Sequence, residues 1–420
     1  MTIRKTLVTA TLAGAVALSL AACGGGTEPA PGGTGGAGSE NPPAAGESLT
    51  VLIGSSGDAE TKAVQAAADA FGAKEGATVK VVAASDLNQE LAQGFAGDAA
   101  PDLFYMGWDQ FQTYASDGYL ENYASKLPNA GDFYPALKET FTFDGEFVCA
   151  PKDFSTLGLV INTDLWAAAG LTDADLPKTW DDLHAVATKL TKDGATGLSM
   201  GAEYARVGVF MAQAGGGLMK DGQVTANSAE NVAALDFLKS MLADGSLKWP
   251  GDLGSGWGGE AFGNAKAAMV IEGPWIAGAL KNDFPNVKYQ VIELPAGSAG
   301  KGTFSFSNCW GIPEGQKTAA TAQKLVEFLT SDEQQLAFSD AFGVIPSTTG
   351  AAATYAEKFP ENQAFVAGAE YATSPVAFKG AADVVGEFNN AITTLASSDS
   401  KAVLDKVQTQ LESAYKAAQG

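Results

Sequence analysis

Along residues 48–116, short apolar runs alternate with longer segments in which apolar side chains recur every three or four positions. The runs have the length of strands and the longer segments have the period of helices, in the order 49–53, 61–71, 78–83, 86–95 and 102–106. Strands that alternate with helices predict an α/β lobe with a largely parallel sheet. Ligands of such sheets bind at the carboxyl ends of the strands, so the loops 54–58 and 107–109 are candidate cleft segments.

The stretch GEFVCAPKDFSTLGLVINTDL (145–165) predicts two buried strands, over 147–150 and 157–162, joined by a polar break. Pro151 lacks an N–H and fixes its own φ, which argues against one continuous central strand through it. Such an elbow suits a crossing between two lobes, and it would place Asp153, Ser155 and Thr156 at the floor of a cleft. An ordinary loop between two strands of one sheet is the alternative.

The rest of the chain continues the alternation of strand and helix. Thr179 and Asp182 have the spacing of a capping box, which predicts a helix that begins after Thr179. Further helices are predicted over 207–214, 229–242 and 318–329, and further strands over 267–271, 288–294 and 303–312. The chain from 343 to 420 is predicted to be mainly helical.

Length and charge narrow the class of protein. A chain of 420 residues predicts two or three domains. The formal net charge is −22, and so acidic a chain repels nucleic acid phosphates, which disfavours nucleic-acid binding. The two cysteines of the main body, Cys149 and Cys309, are a disulfide candidate if the protein is exported; two buried free thiols are the alternative.

The N-terminus has the layout of a secretory signal, with Arg4 and Lys5 ahead of a short apolar run. The sequence Leu-Ala-Ala-Cys that ends at Cys23 resembles the bacterial lipobox. That resemblance implies a signal peptide over 1–22 and a diacylglycerol on Cys23, whose two acyl chains suffice for stable anchoring. Glycine and proline then dominate up to residue 47, so 23–47 is predicted to be a lipidated, flexible tether. A plain secreted protein is the alternative.

An enzyme is disfavoured by the motifs and by the counts of reactive residues. The sequence contains no H-E-x-x-H, no G-x-S-x-G and no P-loop. It has one histidine, His184, so a metal site built from histidine and cysteine is not expected. A glycosidase needs only two carboxylates at no fixed spacing, and Glu260 and Glu272 are the candidates for that alternative.

The positions of tryptophan favour a binding protein. Four of the seven tryptophans stand at predicted strand ends or glycine-rich breaks, namely Trp108, Trp257, Trp275 and Trp310. An indole face packs on the apolar C–H face of a sugar ring, while acids and amides bind the hydroxyls at its edge. A cleft that combines them therefore suits a neutral polyhydroxy ligand. Burial of each tryptophan in a core is the alternative.

These residues together resemble the extracellular solute-binding proteins of ABC importers, in the group that includes maltose-binding protein. The segment AAMVIEGPWIAGAL (267–280) is similar to the A-M-x-I-x-G-P-W segment of that family, whose tryptophan stacks on bound sugar. The elbow over 145–165 is similar to the first hinge of the family, although Ile161 and Thr163 replace the usual tyrosine and lysine. The segments PKTWDDL, PDLFYMGWDQFQTYASDGYLENY and FGVIPS extend the resemblance over some 300 residues.

The resemblance implies the type II periplasmic-binding-protein fold, an α/β fold with two lobes around a ligand cleft. Each lobe would be a mainly parallel sheet flanked by helices, with hinges near 151–156 and 290–295. The lobes would be formed by 48–153 with 293–342 and by 156–290 with 343–420. It also implies that 303–312 re-enters the first sheet near the strand of Cys149, which would bring Cys309 within reach of a bridge inside one lobe.

The resemblance also implies a set of ligand-binding residues. Trp275 would be the sugar platform, and Trp108 with Asp109 would form a ligand loop of the first lobe. Ser155 stands where the maltose proteins have an acid, which puts maltose itself in doubt. Together with Asp153 from the elbow, the remaining candidates are Asp58, Glu60, Trp257, Glu260, Asn308 and Trp310.

The function implied is capture of a sugar, with an oligosaccharide favoured, by closure of the hinge and delivery to the transmembrane subunits of an ABC permease. The protein would be a monomer held by its lipid on the outer face of a bacterial membrane, with no metal and no cofactor. A receptor of the same fold for a peptide, polyamine or other charged solute, a surface glycosidase, and an adhesive or structural lipoprotein are the alternatives.

Overall fold

In the computed structural model, which describes residues 46–419, the strands form two five-stranded sheets, one three-stranded sheet and two short hairpins. The signal peptide over 1–22, Cys23 and most of the tether therefore lie outside the described residues. In chain order the strands are β1 Ser48–Ile53, β2 Thr78–Ala83, β3 Leu103–Gly107, β4 Thr142–Phe143, β5 Glu146–Phe147, β6 Ala150–Pro151, β7 Ser155–Thr156, β8 Gly158–Asn162, β9 Thr196–Ser199, β10 Met219–Lys220, β11 Gln223–Val224, β12 Leu247–Lys248, β13 Ala267–Glu272, β14 Tyr289–Ile292, β15 Thr303–Phe306, β16 Asn308–Gly311 and β17 Ala372–Thr373.

Helices cover both faces of the two largest sheets. They are α1 Asp58–Glu75, α2 Leu87–Ala96, α3 Trp108–Ser116, α4 Pro135–Thr140, α5 Thr163–Ala168, α6 Trp180–Leu190, α7 Tyr204–Gln213, α8 Ala229–Asp244, α9 Gly258–Gly263, α10 Trp275–Asp283, α11 Ala319–Leu329, α12 Asp332–Phe342, α13 Thr349–Lys358, α14 Gln363–Gly368, α15 Ala381–Ile392 and α16 Ser400–Ala418. None of the helices described is both long enough and apolar enough to cross a membrane. The predicted α/β class is confirmed by this element order.

Sheet 1 has the strand order β2-β1-β3-β16-β6 and defines lobe 1. β1 pairs in parallel with β2 and β3, whereas β16 pairs antiparallel with β3 and β6. The parallel strands are rich in β-branched and other apolar residues because both faces of the sheet are covered. Their carboxyl ends, at Ile53 and Gly107, lie at the edge where β16 begins with Asn308.

Sheet 2 repeats this arrangement with the order β12-β9-β13-β8-β14 and defines lobe 2. β9 pairs in parallel with β12 and β13, and β8 pairs antiparallel with β13 and β14. The sequence predicted largely parallel sheets, and in each sheet two of the four strand pairings are parallel. In each sheet the strand that runs against its neighbours, β16 in sheet 1 and β8 in sheet 2, is the one by which the chain arrives from the other lobe.

A third, small sheet with the order β17-β15-β7 lies where the chain crosses between the lobes. The sequence predicted one strand over 303–312, but the structure divides it into β15 and β16, with Ser307 between them. β15 pairs with β7 in the small sheet, while β16 pairs with β3 in sheet 1. The prediction of a single strand was wrong because the ladder partner changes at Ser307 although the apolar pattern continues.

The strand predicted over 147–150 is also two short strands, β5 and β6. Pro151 is the last residue of β6 rather than a break after it. Proline is tolerated there because β6 is the edge strand of sheet 1, where one side of the backbone needs no ladder partner. The polar elbow predicted after Pro151 does follow, and it leads through β7 into β8.

Cys149 and Cys309 are joined by a disulfide with a Cα–Cα distance of 5.6 Å. Cys309 lies on β16 and Cys149 immediately precedes the neighbouring β6, so the bridge links adjacent strands of sheet 1. Both residues are buried in the apolar core of lobe 1. The bridge therefore stays within one lobe and does not cross the hinge.

Separate apolar cores support the two lobes. The core of lobe 1 contains Phe104, Phe111 and Phe141, with helices α1, α3 and α11 packed on sheet 1. Lobe 2 has a core on each face of sheet 2: α6, α7, α8, α15 and α16 cover one face, while α9, α10, α13 and α14 cover the other. Burying apolar area on this scale is the main favourable contribution to folding.

Local signals in the sequence correctly predicted several helix ends. Thr179 accepts a hydrogen bond from the Asp182 N–H, and the Asp182 carboxylate accepts one from the Thr179 N–H, so the capping box that begins α6 is confirmed. Asp86 and Ser331 cap α2 and α12 by accepting one hydrogen bond each, from the N–H groups of Gln89 and Gln334.

The segment 293–302, which the sequence assigned to lobe 1, makes its hydrogen bonds to lobe 2. The Ala296 N–H donates to the Lys178 carbonyl oxygen at 2.9 Å, and the Gln213 side-chain amide donates to the Gly302 carbonyl oxygen at 2.8 Å. The crossing toward lobe 1 thus occurs in β15. The other lobe boundaries stay a prediction.

Replacing Tyr123 with phenylalanine is expected to lower the free energy of unfolding by about 1–2 kcal/mol. The buried Tyr123 hydroxyl donates to the Trp310 carbonyl oxygen and accepts from the Ala150 N–H at 3.2 Å, so it joins β16 to β6. Without it, two buried backbone groups lose a partner. Urea denaturation would measure the loss, with Tyr119→Phe as the control because Tyr119 is exposed. Equal stability of Tyr123→Phe and wild type would contradict the role of this hydroxyl.

Candidate functional site

A cavity of about 250 Å³ lies between the lobes, at the carboxyl edge of sheet 1. Its walls come from the loop after β1, the first residues of α1 and α3, the elbow 152–155, the start of α10, the break between β15 and β16, and the end of α12. All three stretches of chain that connect the lobes contribute to it. A ligand in this cavity would contact both lobes and the segments that connect them.

Trp275 lies on the lobe 2 side of the cavity, where neighbouring groups hold its ring in place. It is the first residue of α10 and follows Pro274, and its ring lies against Gly273, where a Cβ would come within 2.3 Å of the indole. Its Nε1–H donates to Glu272 Oε2 at 3.1 Å. The bare backbone of Gly273 and this hydrogen bond fix the orientation of the ring. A half-buried, fixed indole is a suitable platform for an apolar ligand face.

Trp108 contributes the second indole, from lobe 1. It is the first residue of α3, directly after β3, and it is half-buried. Its ring centroid lies 6.2 Å from that of Phe306, the last residue of β15. Both aromatic rings line the cavity. Apolar surface is therefore available on the lobe 1 side as well as at Trp275.

A buried ionic cluster forms the floor of the cavity. The Lys152 ammonium contacts the carboxylates of Glu60, at 3.1 Å, and Asp153. The Tyr105 hydroxyl donates to Glu60 Oε1 at 3.0 Å, and the Lys152 Nζ lies 4.6 Å from the centroid of the Tyr105 ring. Ser56 donates to the other carboxylate oxygen of Glu60 through its N–H and its hydroxyl, each at 2.7 Å. The cluster thus links α1 to the first crossing segment.

The two carboxyl groups of this cluster respond differently to their surroundings. Burial works to raise the pKa of Glu60, but the Lys152 ammonium and the hydrogen bonds from Ser56 outweigh it and leave the pKa lowered. Burial raises the pKa of Asp153, although Lys152 acts against that shift. Burial also works to lower the pKa of Lys152, but Asp153 and Glu60 together raise it. Lys152 is accordingly held in its charged form.

Most of the residues predicted from sequence meet at this cavity. Six of them line it, namely Glu60, Trp108, Asp153, Ser155, Trp275 and Asn308. Asp109 lines a neighbouring cavity of about 210 Å³ that shares Trp108 with the first. The Ser155 hydroxyl donates to the Phe306 carbonyl oxygen at 3.3 Å, which ties the elbow to β15.

Two predicted ligand residues, Trp310 and Asp58, line neither the cavity between the lobes nor the neighbouring one that contains Asp109. Trp310 is only 1% exposed, and its ring packs edge-on against Tyr105 with centroids 4.8 Å apart. It lies two residues further into sheet 1 than Asn308, so it belongs to the core of lobe 1. Asp58 is the exposed first residue of α1, and its nearest cation is Lys62 at 3.9 Å.

Trp257 lies in lobe 2, where it lines a third cavity of about 470 Å³. The carboxylate of Glu260 accepts a hydrogen bond from the Gly256 N–H at 2.6 Å and so closes the first turn of α9. Glu272, the other acid of the glycosidase alternative, bonds Trp275 and Arg206. Burial raises the pKa of Glu272, against the lowering effect of Arg206. Both acids are thus bound to neighbouring groups of the protein.

Three contributors to the site were missed by the sequence analysis. Lys152 sits beside the predicted Asp153, but a lone lysine has no pattern that distinguishes a buried ammonium from an exposed one. Glu203 and Arg206 lie at the start of α7, where the sequence pattern indicates only an apolar helix over 207–214. A useful signal was available for Arg206, because it is the only arginine after Arg4. No group of three or more potential metal ligands occurs among the residues described.

Comparison with known proteins relates this arrangement to a family. Residues 66–367, more than half of the chain, match the family described as bacterial extracellular solute-binding protein. The diacetylchitobiose binding protein DasA of Streptomyces coelicolor is 27% identical over 357 residues, which cover 82% of each chain. A maltooligosaccharide ABC transporter solute-binding lipoprotein of Streptococcus pneumoniae is 28% identical over 283 residues, which cover 61% of this chain and 62% of the relative.

The chain spans less than two thirds of the length of several of these relatives. The pneumococcal protein is one, and three Brucella proteins named as binding proteins are matched over 66% of their length. The similarity in fold to a solved structure extends over more of the chain than these sequence matches do. The GacH receptor of Streptomyces glaucescens, solved unliganded and with acarbose, superimposes with a TM-score of 0.79 at 22% identity, covering 89% of this chain and 99% of the receptor. That agreement confirms the predicted type II binding-protein fold.

Proposed function

Because the chain belongs to the bacterial extracellular solute-binding protein family, we propose that it is the receptor of an ABC importer and that it captures an oligosaccharide in the cavity between its lobes. Proteins of this family are binding components of transport systems, not enzymes. The observation that carries the sugar assignment is the convergence of two indole rings, Trp108 and Trp275, on one cavity with carboxylate, hydroxyl and amide groups.

The chemistry of the cavity matches that of a sugar ring. Apolar C–H faces can rest on Trp108 and Trp275, while ring hydroxyls donate to Asp153 or exchange hydrogen bonds with Ser155 and Asn308. Two of the relatives named above, the pneumococcal lipoprotein and DasA, are named for binding maltooligosaccharides and diacetylchitobiose respectively. Their names support the class of ligand and leave its linkage open.

Capture would proceed by closure of the lobes about the crossing segments. A ligand held between Trp275 and Trp108 touches both lobes, so it stabilises the closed form by its greater affinity for that form. The elbow 152–155 and the β15–β16 break would take up the change of backbone angles, and the closed form would dock on the permease.

We place the receptor on the outer face of the bacterial membrane, anchored through a diacylglycerol on Cys23. The tether over 23–47 would hold the lobes roughly 25–30 Å from that anchor, as expected for a flexible chain of its length. The name of the pneumococcal relative describes a lipoprotein, which supports this arrangement.

A cationic solute is the second candidate ligand. The ionisable groups of the cavity are two carboxylates, Glu60 and Asp153, against the single ammonium of Lys152. A cation would gain from this excess of negative charge, and its affinity would fall steeply with salt. The fixed, half-buried indole of Trp275 offers a flat apolar face, which is the reason to prefer a sugar.

We expect the chain without its signal and Cys23 to gain thermal stability and change its tryptophan fluorescence with at least one oligosaccharide. A ligand at 100 times its dissociation constant adds about 2.7 kcal/mol of apparent stability, which differential scanning fluorimetry detects easily. Maltooligosaccharides, chitooligosaccharides, monosaccharides, polyamines and short peptides would form the panel. A shift with the charged solutes alone would replace the sugar assignment, and no shift with any member would contradict it.

A further inference from the structure

The guanidinium of Arg206 lies beside the Trp275 platform but does not line the cavity between the lobes. We propose that Arg206 is a positioning residue, which acts through Glu272 to hold the indole of Trp275 in the orientation that receives the ligand. This inference rests on the proposed function, because it concerns the platform on which that ligand would bind. It gives Arg206 and Glu272 a part in affinity although neither lines the cavity itself.

One carboxylate oxygen of Glu272 joins Arg206 to Trp275. Glu272 Oε2 accepts a hydrogen bond from Arg206 Nη2 at 2.7 Å and another from Trp275 Nε1–H at 3.1 Å. The guanidinium carbon of Arg206 also lies 5.6 Å from the centroid of the Trp275 ring, which is within the range of a cation–π contact. The indole is thus held at its nitrogen by Glu272 and at its ring by Arg206.

Both members of the ion pair are fixed by regular structure. Arg206 lies in the first turn of α7, and its other terminal nitrogen bonds Glu203, the residue that precedes this helix. Glu272 is the last residue of β13, and its Oε1 lies against the backbone of Gly258, where a Cβ would be 2.6 Å away. A helix, a strand and a bare glycine therefore set the positions of the two charges behind Trp275.

The burial of this ion pair argues for a role other than stability. The Arg206 side chain is 15% exposed and that of Glu272 is 2% exposed, so both charges are largely removed from water. A buried ion pair adds little net stability, because its attraction must first offset the lost hydration of both groups. The Arg206 Nε is also buried without a partner within residues 46–419. A positioning role beside Trp275 explains why such a pair is kept.

Arg206 supplies the positive charge that the buried Glu272 carboxylate needs. The other ionisable groups that line the cavity of about 470 Å³ beside this pair are two acids, Glu203 and Asp252. Burial raises the pKa of Glu272, and Arg206 acts against that shift. Without Arg206 the carboxylate would therefore take up a proton or turn toward water. In either case its hydrogen bond to the Trp275 nitrogen would weaken.

The position of Trp275 can be measured without a ligand, from the indole N–H signals in the NMR spectrum of tryptophan-labelled protein. The signal that is missing in Trp275→Ala identifies this residue. We expect Arg206→Met to move the Trp275 signal and to speed the exchange of its proton with water, because the bond to Glu272 weakens. Arg206→Lys should change both less, since it keeps the charge but lacks the planar fork that bonds two carboxylates. The signal of Trp166, which donates to the Thr172 carbonyl oxygen, should stay in place.

Calorimetric titration then tests whether the position of the indole matters for binding. For the tightest sugar of the panel, Arg206→Met should lower the affinity by about threefold to tenfold, the range of one hydrogen bond. A residue that acts through the indole has nothing to act on once the indole is removed. In the Trp275→Ala background, Arg206→Met should therefore change the affinity by less than about twofold.

The matched control is Lys239→Met, which removes a half-buried cation of lobe 2 that donates to the Ser398 carbonyl oxygen. Lys239 lines neither the cavity between the lobes nor the one that contains Arg206, so this variant should leave the Trp275 signal and the sugar affinity unchanged.

Two results would overturn the positioning role while the proposed function stands. One is a Trp275 signal that is unmoved in the folded variants of Arg206. The other is a loss of sugar affinity on Arg206→Met that is equal with and without the indole. If no sugar binds the wild type, the proposed function is wrong, and the Trp275 signal alone decides whether Arg206 positions the indole.

Discussion

Replacing Trp275 with alanine should reduce the affinity for the bound sugar by about 30-fold or more, equivalent to about 2 kcal/mol or more. The indole is the fixed apolar face of the lobe 2 wall, supported by Gly273 and by its hydrogen bond to Glu272. Its removal takes away the stacking surface and leaves the Glu272 carboxylate, buried with Arg206, with one donor fewer. Calorimetric titration with the tightest sugar of the panel would measure the loss.

Trp180→Ala is the matched control for this substitution. Trp180 is also the first residue of a helix, is half-buried, and donates its Nε1–H to a buried side chain, Gln213, at 2.6 Å. Its ring stacks on Phe237 inside lobe 2, away from the cleft. Both variants should lose stability, but only Trp275→Ala should lose sugar affinity. Unchanged affinity in Trp275→Ala, or an equal loss in both variants, would refute the platform.

Replacing Lys152 with methionine should lower the free energy of unfolding at pH 7 by about 3 kcal/mol or more. The Lys152 ammonium is the buried cation between Glu60 and Asp153, and without it two carboxylates stay buried with no opposite charge. Glu60 keeps its hydrogen bonds from Ser56 and Tyr105, which offset only part of the cost. Urea denaturation monitored by tryptophan fluorescence would measure the change.

The pH dependence of this effect has a definite sign. In the wild type the pKa of Glu60 is lowered, so its stabilising contribution is present above the unfolded pKa and is lost as the pH falls through the folded one. In Lys152→Met burial would instead raise the pKa of Glu60 and would raise that of Asp153 further, so the variant should gain stability as the pH falls. The difference between the two proteins should therefore narrow from pH 7 toward pH 4.

Two further variants separate the buried cluster from a general effect of lost charge. Lys301→Met removes an exposed ammonium that lies 2.7 Å from Glu293, and it should cost less than about 1 kcal/mol. Adding Glu60→Gln to Lys152→Met should recover part of the lost stability, because it removes one of the uncompensated charges. A Lys152→Met protein as stable as wild type at pH 7 would mean that the cluster contributes no net stabilisation.

The regular elements were predictable because each is specified by its own periodicity and end signals. β2 was predicted with its observed bounds, and the capping residues of α6 were identified from their spacing alone. The run 303–312 could not be divided correctly, because an alternating apolar pattern does not reveal that its pairing partner changes at Ser307. Trp310 was misplaced for the same reason: the pattern does not show how deep in the sheet a residue lies.

The candidate site was only partly predictable, since its residues come from segments far apart in the chain. Trp108, Trp275 and Asp153 could be found because they follow strands or stand in the elbow. Lys152 could not, because what distinguishes it is burial beside the Glu60 carboxylate from another segment. Arg206 offered only its rarity in the sequence, which does not reveal its partners Glu203 and Glu272. Such partners become visible only when both lobes are folded.

The disulfide has a mechanical consequence for opening and closing. Two residues that line the cavity lie close to the bridge: Asn308 adjoins Cys309, and Lys152 comes three residues after Cys149. The disulfide therefore joins covalently β16, which carries Asn308, to the segment that leads into Lys152. In the proposed closure, the change of backbone angles would then fall beyond the bridge, in the elbow after Lys152 and at the β15–β16 break. Under that proposal, the disulfide would keep the part of the cavity floor next to Cys149 and Cys309 within lobe 1 while lobe 2 moves on the three connecting segments.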